Sequence, residues 1–432
     1  MMRSVSITRA AVASRAATVL ACVVFDLLLP DHDAGVHAFE LERGRWLGAA
    51  LRPFTRWDAA HNLAIARDGY TAERDFAFFP LLPLLVRGLA RALRAAPGGA
   101  RLLREREALA LAAVLVSNAA FVAAARALHR LTALATRDAR LARRAALVFC
   151  ATPAGVFFSA AYTESLFAAL GFSALAQLHA DRPWRAALLF ALATACRANG
   201  VLGALFVLGQ PRVLAAALAM LGARPRHLAR RWLFADGGAD GAGAPTPRAA
   251  AATLLRALAM CALVVAPSLA FQLHGYRTFC AAATRATRDA APAWCRERVP
   301  SIYAHVQRTY WNVGFLRYYE LKQLPNFALA APALALAFAA VAEFARGAAG
   351  KGARARAPLL AHYAHLAVLA ATGLLIAHVQ VSTRLLAAAS PAWYWHVASR
   401  LEDDAQRPRL LLYLGAFNGL GAALHSNFLP WT

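Results

Sequence analysis

The chain has 432 residues, 60% of them hydrophobic and only 16% charged, with a formal net charge of +24. Apolar runs of about twenty residues recur along it, which excludes an ordinary soluble domain and points to a multispan membrane protein. The positive charge does not mark a nucleic-acid partner: apart from Lys322 and Lys351 every basic residue counted is an arginine, alanine fills most neutral positions, and no RNP, zinc-finger or basic-helix pattern occurs.

In chain order, spans are predicted at 14–30, 107–128, 145–160, 165–180, 185–208, 210–222, 250–273, 327–345, 358–377, 385–399 and 409–426. The fold class is therefore an all-α polytopic membrane protein of about 9–13 transmembrane helices, as several runs are shorter than the roughly twenty residues a crossing needs. Re-entrant pieces are an alternative for 145–222. The first run reads as an uncleaved span, because no small-x-small cleavage site follows Pro30.

Arginines orient the chain. Arg3, Arg9 and Arg15 precede or open the first span, and further basic groups fall in 129–144, 181–185, 223–249, 346–357 and 400–409. Placing all of these in the cytosol gives a consistent positive-inside pattern. The segments 31–106, 158–165, 197–200, 274–326, 378–384 and the C-terminus then share the opposite, non-cytosolic face, with 31–106 as a first non-cytosolic loop, 223–249 a cytosolic loop and 274–326 a large non-cytosolic loop in a single membrane domain, 1–432. One segment opposes the trend. Arg87, Arg91 and Arg94 are spaced to share a helical face opposite Leu82, Leu85, Val86, Leu89 and Leu93, so 81–94 is predicted to lie in the interface as a non-cytosolic amphipathic helix.

Polar groups beside spans are costly, so their positions are informative. RWDAAHNLAIARDGYTAERDFAFFP at 56–80 places Asp58, His61 and Asn62 on one face of a helix over 57–68, which Gly69 would end, with Glu73 following. A carboxylate here can take a proton from a hydroxyl nucleophile; on composition alone the acids read rather as a solvated loop paired with Arg56, Arg67 and Arg74. Tyr162 and Glu164 stand between two apolar runs, where Glu164 is either functional or a charge at a helix N-terminus. Arg197, in CRANG with Asn199, ends a span and either snorkels or grips an anionic phosphate. His378, Gln380 and Arg384 in HVQVSTRLL form a second phosphate-binding candidate, with a structural role as the plain alternative. The 274–326 segment is dense in Tyr and Trp, which suit the membrane interface and also stack on sugars. Cys280 and Cys295 enclose a short segment there and pair if that face is oxidising; no CxxC metal pattern occurs. No Walker A loop, GxGxxG, HExxH or GxSxG motif occurs either, so no metal or nucleotide cofactor is expected.

These motifs converge. RWDAAHNLAIARDGYTAERDFAFFPLLP, ATPAGVFFSAAYTESLFA, CRANGVL, YWNVGFLRYYELKQLPNFALAAP, HVQVSTRLL and the terminal HSNFLPWT resemble, in order, blocks of the PIG-V-type GPI mannosyltransferases. The resemblance runs from about residue 56 to the C-terminus. It implies a multi-pass endoplasmic reticulum membrane enzyme of the GT-C-type glycosyltransferase fold, which moves mannose from dolichyl-phosphate-mannose to a GPI glycolipid precursor as its second, α1,6-linked mannose, without metal or cofactor. Some members need an accessory membrane subunit. The resemblance puts Asp58 at the position of the catalytic acid, with His61 or Glu73 toward the acceptor and Arg197, Arg384 and His378 toward the donor phosphate. Glu73, rather than Asp75, holds the acid of the family's E-x-x-F-A-F-F-P pattern, and FAFFP is expected to return the chain to the interface. Another dolichol-linked glycosyltransferase shares this mechanism and differs in acceptor. A lipid or anion transporter would require mid-span polar residues and inverted repeats, which are not evident.

Overall fold

A computed structural model describes residues 6–32, 39–41, 44–221, 245–281, 291–348 and 357–431. Most of the expected 223–249 loop, and residues 349–356 of the expected 346–357 loop, lie outside the described residues. Among the described residues the chain is helical with no strand. The principal helices are α1 (Ile7–Leu28), α2 (Asp58–Asp68), α3 (Leu81–Ala95), α4 (Glu105–Thr136), α5 (Ala139–Cys150), α6 (Glu164–His179), α7 (Pro183–Cys196), α8 (Pro211–Met220), α9 (Pro247–Tyr276), α10 (Ile302–Thr309), α11 (Leu324–Ala348), α12 (Leu360–Leu375), α13 (Ser382–Ala389), α14 (Pro391–Arg400) and α15 (Arg407–Ser426).

Four described helices are long and apolar enough to cross a bilayer by themselves: Ile7–Leu28, Glu105–Thr136, Pro247–Ala281 and Leu321–Gly347. Ala198–Leu208 and Pro211–Met220 qualify together, bent by 65°, and α7 and α12 are shorter apolar helices. The bend falls where the predicted spans 185–208 and 210–222 met. Two other predicted spans are interrupted. The run at 145–160 is helical only to Cys150 and then tightens into a 3-10 turn at Gly155–Phe158. The run at 385–399 breaks at Ser390, before Pro391 opens α14. Proline has no N–H to give the preceding helix and disfavours a helical residue before it, so the chain restarts there.

α4 is the centre of the bundle and packs on α1, α3, α5 and α6. Its buried face is largely alanine, with Ala108, Ala112, Ala113, Ala120, Ala124 and Ala125 inside. Small side chains let helix backbones approach closely, the usual route to tight packing where lipid gives no hydrophobic drive. α1 packs on α15 and α4. Arg15 is not a free cytosolic charge as its place in the charge pattern suggested: its guanidinium is buried, bonds Gly155 O at 2.7 Å and Ser159 Oγ at 3.1 Å, and lies 3.8 Å from the Phe121 ring centroid.

The segment expected to be helical at 81–94 is helical, as α3. Leu82, Val86 and Ala90 are buried against the bundle, while Leu84 and Leu85 stay exposed. Phe76 and Phe79, expected to lead the chain back to the interface, pack against protein. They are buried in a second, smaller core with Phe271, Trp294, Ile302 and Val306, which clamps the segment after α2 onto the region around α10. Cys280 and Cys295 are joined in a disulfide beside this core.

Candidate active site

Trp57 precedes α2 with φ of +57°, a conformation that bulky L residues rarely adopt. Its neighbours hold it there. Arg56 is almost wholly buried, and its guanidinium pairs with Asp26 of α1 and, at 2.8 Å, with Asp31. Arg52 adds a second ion pair to Asp26 at 2.6 Å. Phe428, from the C-terminal segment, covers the Arg56 guanidinium at 4.2 Å and packs on Trp57. Both ends of the chain thus fix the backbone turn that presents Asp58 as the first residue of α2. Gly69, φ +86°, closes the same helix.

Asp58 meets residues from three distant segments. Arg384 of α13 donates from Nη1 to Asp58 Oδ2 at 2.7 Å and lies 3.4 Å from Glu164 Oε1. Glu164, the first residue of α6, is fully buried and accepts from Arg197 Nη1 at 2.6 Å. Arg197 also bonds Thr163 Oγ1 at 3.2 Å. Phe157 and Tyr162 lie against the Arg384 guanidinium at 5.2 and 5.3 Å. The result is an alternating row, Asp58, Arg384, Glu164, Arg197, with two negative and two positive charges. Burial pushes the Asp58 carboxyl upward, but Arg384 outweighs it and holds the group below the usual aspartate range. Asp58 keeps its side chain 32% exposed and Glu164 keeps none, so of the two acids Asp58 is the one an incoming molecule can reach.

His61 follows one turn along α2. Its ring stacks on Phe78 at 4.9 Å and meets Trp311 edge-on at 6.4 Å, and all three rings are partly exposed. Asn62 bonds the Ala161 carbonyl at 3.1 Å and ties α2 to the Tyr162 segment. Asn199, in the turn after α7, has a buried Nδ2 with no protein partner.

The other candidates stand apart from this row. Glu73 accepts from Trp294 Nε1 at 2.8 Å, lies 3.2 Å from His305 Nε2 and accepts from Tyr310 OH at 3.4 Å. It joins the α2–α3 connection to the segment around α10. Asp75 accepts the Thr71 and Ala72 amides at 3.0 and 2.8 Å and so shapes its own turn. Gln380 accepts from Tyr318 OH at 3.1 Å, and His378 stacks on Tyr318 at 4.6 Å. Burial lowers the His378 pKa, which favours the neutral ring at neutral pH and weakens it as a phosphate cation. Arg197 and Arg384 are cations already matched by carboxylates, so any phosphate near them must share their donors.

Sequence reasoning did not single out Asp26, His425 or Trp311. Asp26 carried a usable signal, as a charge within the apolar run of the first helix. His425 is buried on α15, 5.7 Å from the Tyr162 ring, with neither ring nitrogen bonded among the described residues; only the fold brings it near.

Among the described residues, a helical chain with several membrane-length apolar helices gathers two carboxylates and two guanidiniums, one of the acids partly open, and so defines a multi-pass membrane protein with a polar site. The sequence model of the family described as mannosyltransferase (PIG-V) matches residues 4–225 and 246–432, and the chain belongs to that family. It is 33% identical to the GPI alpha-1,6-mannosyltransferase 2 of Rattus norvegicus, over 98% of this chain and 97% of that one. It is 32% identical to the protein of the same name from Homo sapiens, over 99% and 98%. It is also 32% identical to the GPI mannosyltransferase 2 of Chaetomium globosum, over 87% and 83%. Among solved structures, the oligosaccharyltransferase of Archaeoglobus fulgidus aligns with a TM-score of 0.49 at 12% identity, over 98% of this chain but 56% of that one; that likeness adds nothing to the assignment.

Proposed function

We propose that this chain transfers mannose from dolichyl-phosphate-mannose to the first mannose of a GPI precursor, in α1,6 linkage, at the luminal face of the endoplasmic reticulum membrane. Its family membership and its full-length similarity to proteins named GPI alpha-1,6-mannosyltransferase 2 support the acceptor. The observation that carries the chemistry is the partly exposed Asp58 carboxylate bonded to Arg384 at 2.7 Å.

In this reading Asp58 accepts the proton of the acceptor 6-hydroxyl as that oxygen attacks mannosyl C1. The new C1–O bond forms on one face while the C1–O bond to the phosphate breaks on the other, and its electron pair leaves with dolichyl phosphate. Configuration at C1 inverts. Arg384 and Arg197 take up the charge that grows on the leaving phosphate, a task for preorganised donors in a water-poor site. The same shift draws Arg384 away from Asp58 and makes the carboxylate a stronger base at the moment it is needed. Glu164 keeps both arginines in place. His61, Trp311 and Asn199 contact the acceptor sugar. Tyr162 supports Arg384, while Glu73, His378 and Gln380 position the segments that cover the site. The reaction calls for no cofactor beyond the donor, and an accessory membrane subunit is compatible with it. The direct test is expression in cells lacking the second GPI mannosyltransferase. Return of GPI-anchored surface markers supports the acceptor, and failure of a stably expressed, correctly localised protein to restore them overturns it.

A further inference from the structure

The arginines of α3 play no part in the row around Asp58, yet they converge on a pocket of their own. We propose that this pocket holds the phosphodiester of the acceptor glycolipid, an inference that rests on the mannosyl-transfer reading and extends it to a second point of acceptor contact. The cavity is lined by Arg67, Arg87, Arg91, Arg94 and Glu105, with Ala66, Ala90 and Leu109 as its apolar walls. Four arginines and one glutamate thus contribute to its lining. Arg67 is matched by Asp68 at 2.8 Å. Arg87 spends its donors on the carbonyls of Ile65, Ala66 and Arg67, the open end of α2. Among the described residues Arg91 and Arg94 form no ion pair, and Arg94 Nε is buried without a bonding partner. An excess of guanidinium with unspent donors suits a phosphate group, which accepts from them in a planar fork.

Position argues for a lipid-borne phosphate. Leu84 and Leu85 are exposed on α3 away from the buried Leu82, Val86 and Ala90. A helix with an apolar outer edge and a basic flank settles at the depth of lipid headgroups. Distance argues for the acceptor. The pocket and the acid lie at opposite ends of α2: from Asp58 to Arg67 is about 14 Å at a helical rise of roughly 1.5 Å per residue. In a GPI precursor the phosphodiester and the attacked hydroxyl are likewise separated, by inositol, glucosamine and mannose rings. The donor differs, since its phosphate adjoins the reacting carbon and must lie beside Asp58.

The test uses the full-length protein in nanodiscs, with two synthetic acceptors that carry the same mannosyl glycan. One is joined to its lipid through a phosphodiester and the other through a neutral ether. Arg91→Gln/Arg94→Gln is expected to raise KM for the phosphodiester acceptor about tenfold, in keeping with lost charge-assisted hydrogen bonds. KM for the ether acceptor, KM for the donor and kcat stay at wild-type values. Equal loss with both acceptors, or a change confined to the donor, overturns the proposal. So does a wild-type preference for the phosphodiester that vanishes when neutral bilayers replace anionic ones, which would mark a site for bulk lipid. If the double variant does not fold, Arg94→Gln alone carries the same comparison. Wild-type inactivity toward both acceptors overturns the mannosyl-transfer reading itself.

Discussion

Replacing Glu164 with glutamine removes one charge from the row and keeps its shape. The carboxylate is fully buried, 2.6 Å from Arg197 and 3.4 Å from Arg384. Unit charges about 4 Å apart attract by about 4 kcal/mol at an effective dielectric of roughly 20, so Glu164 supplies gross attraction to two cations that only Asp58 otherwise balances. Removing one partner of a buried pair costs about 3–5 kcal/mol, mainly because the remaining charge stays buried. The arginine side chains keep 19% and 16% exposure, which places the cost at the lower end, about 3 kcal/mol. Part of this appears as lower thermal stability. The rest appears in turnover, because Arg384 without Glu164 binds Asp58 alone and holds its carboxylate in a less basic form. We expect kcat to fall by about two orders of magnitude, the scale of losing a preorganised charge-stabilising group. Glu164→Asp, which keeps the charge on a shorter arm, should recover part of both losses. Mannosyl transfer and thermal unfolding of the purified variants measure the two effects. A Glu164→Gln enzyme with wild-type melting and wild-type kcat would refute the claim that Glu164 anchors the two arginines.

Other outcomes follow from the same geometry. Asp26→Asn leaves the buried Arg56 without its main partner and should destabilise the fold by about 3–5 kcal/mol, read as a lower melting temperature with kcat lost in parallel. Asp58 has a folded pKa below its unfolded value, so the Asp58–Arg384 contribution to stability is fully present above the unfolded aspartate value, near about 4, and is lost as pH falls through the lower folded value. Between pH 7 and 5 protonation of Asp58 should therefore cost neither stability nor activity, and an acid limb in kcat/KM that Asp58→Glu moves within that range would contradict the assignment. Reducing the Cys280–Cys295 bridge, whose partners are 15 residues apart, should cost about 3 kcal/mol in the chain-entropy account. The loss should show first as faster proteolysis within 276–310, measured by limited digestion with and without reductant.

Much of the fold was legible because hydrophobic runs and arginine placement are local signals. The sequence placed α2 and its glycine end, the amphipathic helix α3, and the long apolar helices α4, α9 and α11 close to where they lie. It joined what the fold interrupts. The breaks at Ser390 and after Cys150 sit inside continuous apolar runs, where only backbone geometry separates a span from a re-entrant turn. The site was legible as a set of residues and not as a set of pairs. Asp58, Glu164, Arg197 and Arg384 each stood out as a charge beside apolar sequence, yet Asp58 and Arg384 are 326 positions apart and nothing local says that they touch. For the same reason both arginines read as free phosphate ligands, whereas the fold gives each a carboxylate. Glu73 read as an acceptor contact because its partners, Trp294, His305 and Tyr310, come from a loop more than two hundred positions away. Arg15 read as a cytosolic charge because burial is invisible in a charge count.

The central claim is that the Asp58 carboxylate takes the acceptor proton during mannosyl transfer. Single-turnover transfer by Asp58→Asn and wild-type protein, with donor and acceptor saturating, tests it most directly. The substitution is nearly isosteric and leaves Arg384 its contact with Glu164. We predict a fall in the transfer rate of about two to four orders of magnitude, the contribution of a positioned general base, with donor and acceptor affinities changed only slightly. A folded Asp58→Asn protein that transfers mannose at the wild-type rate would contradict the account.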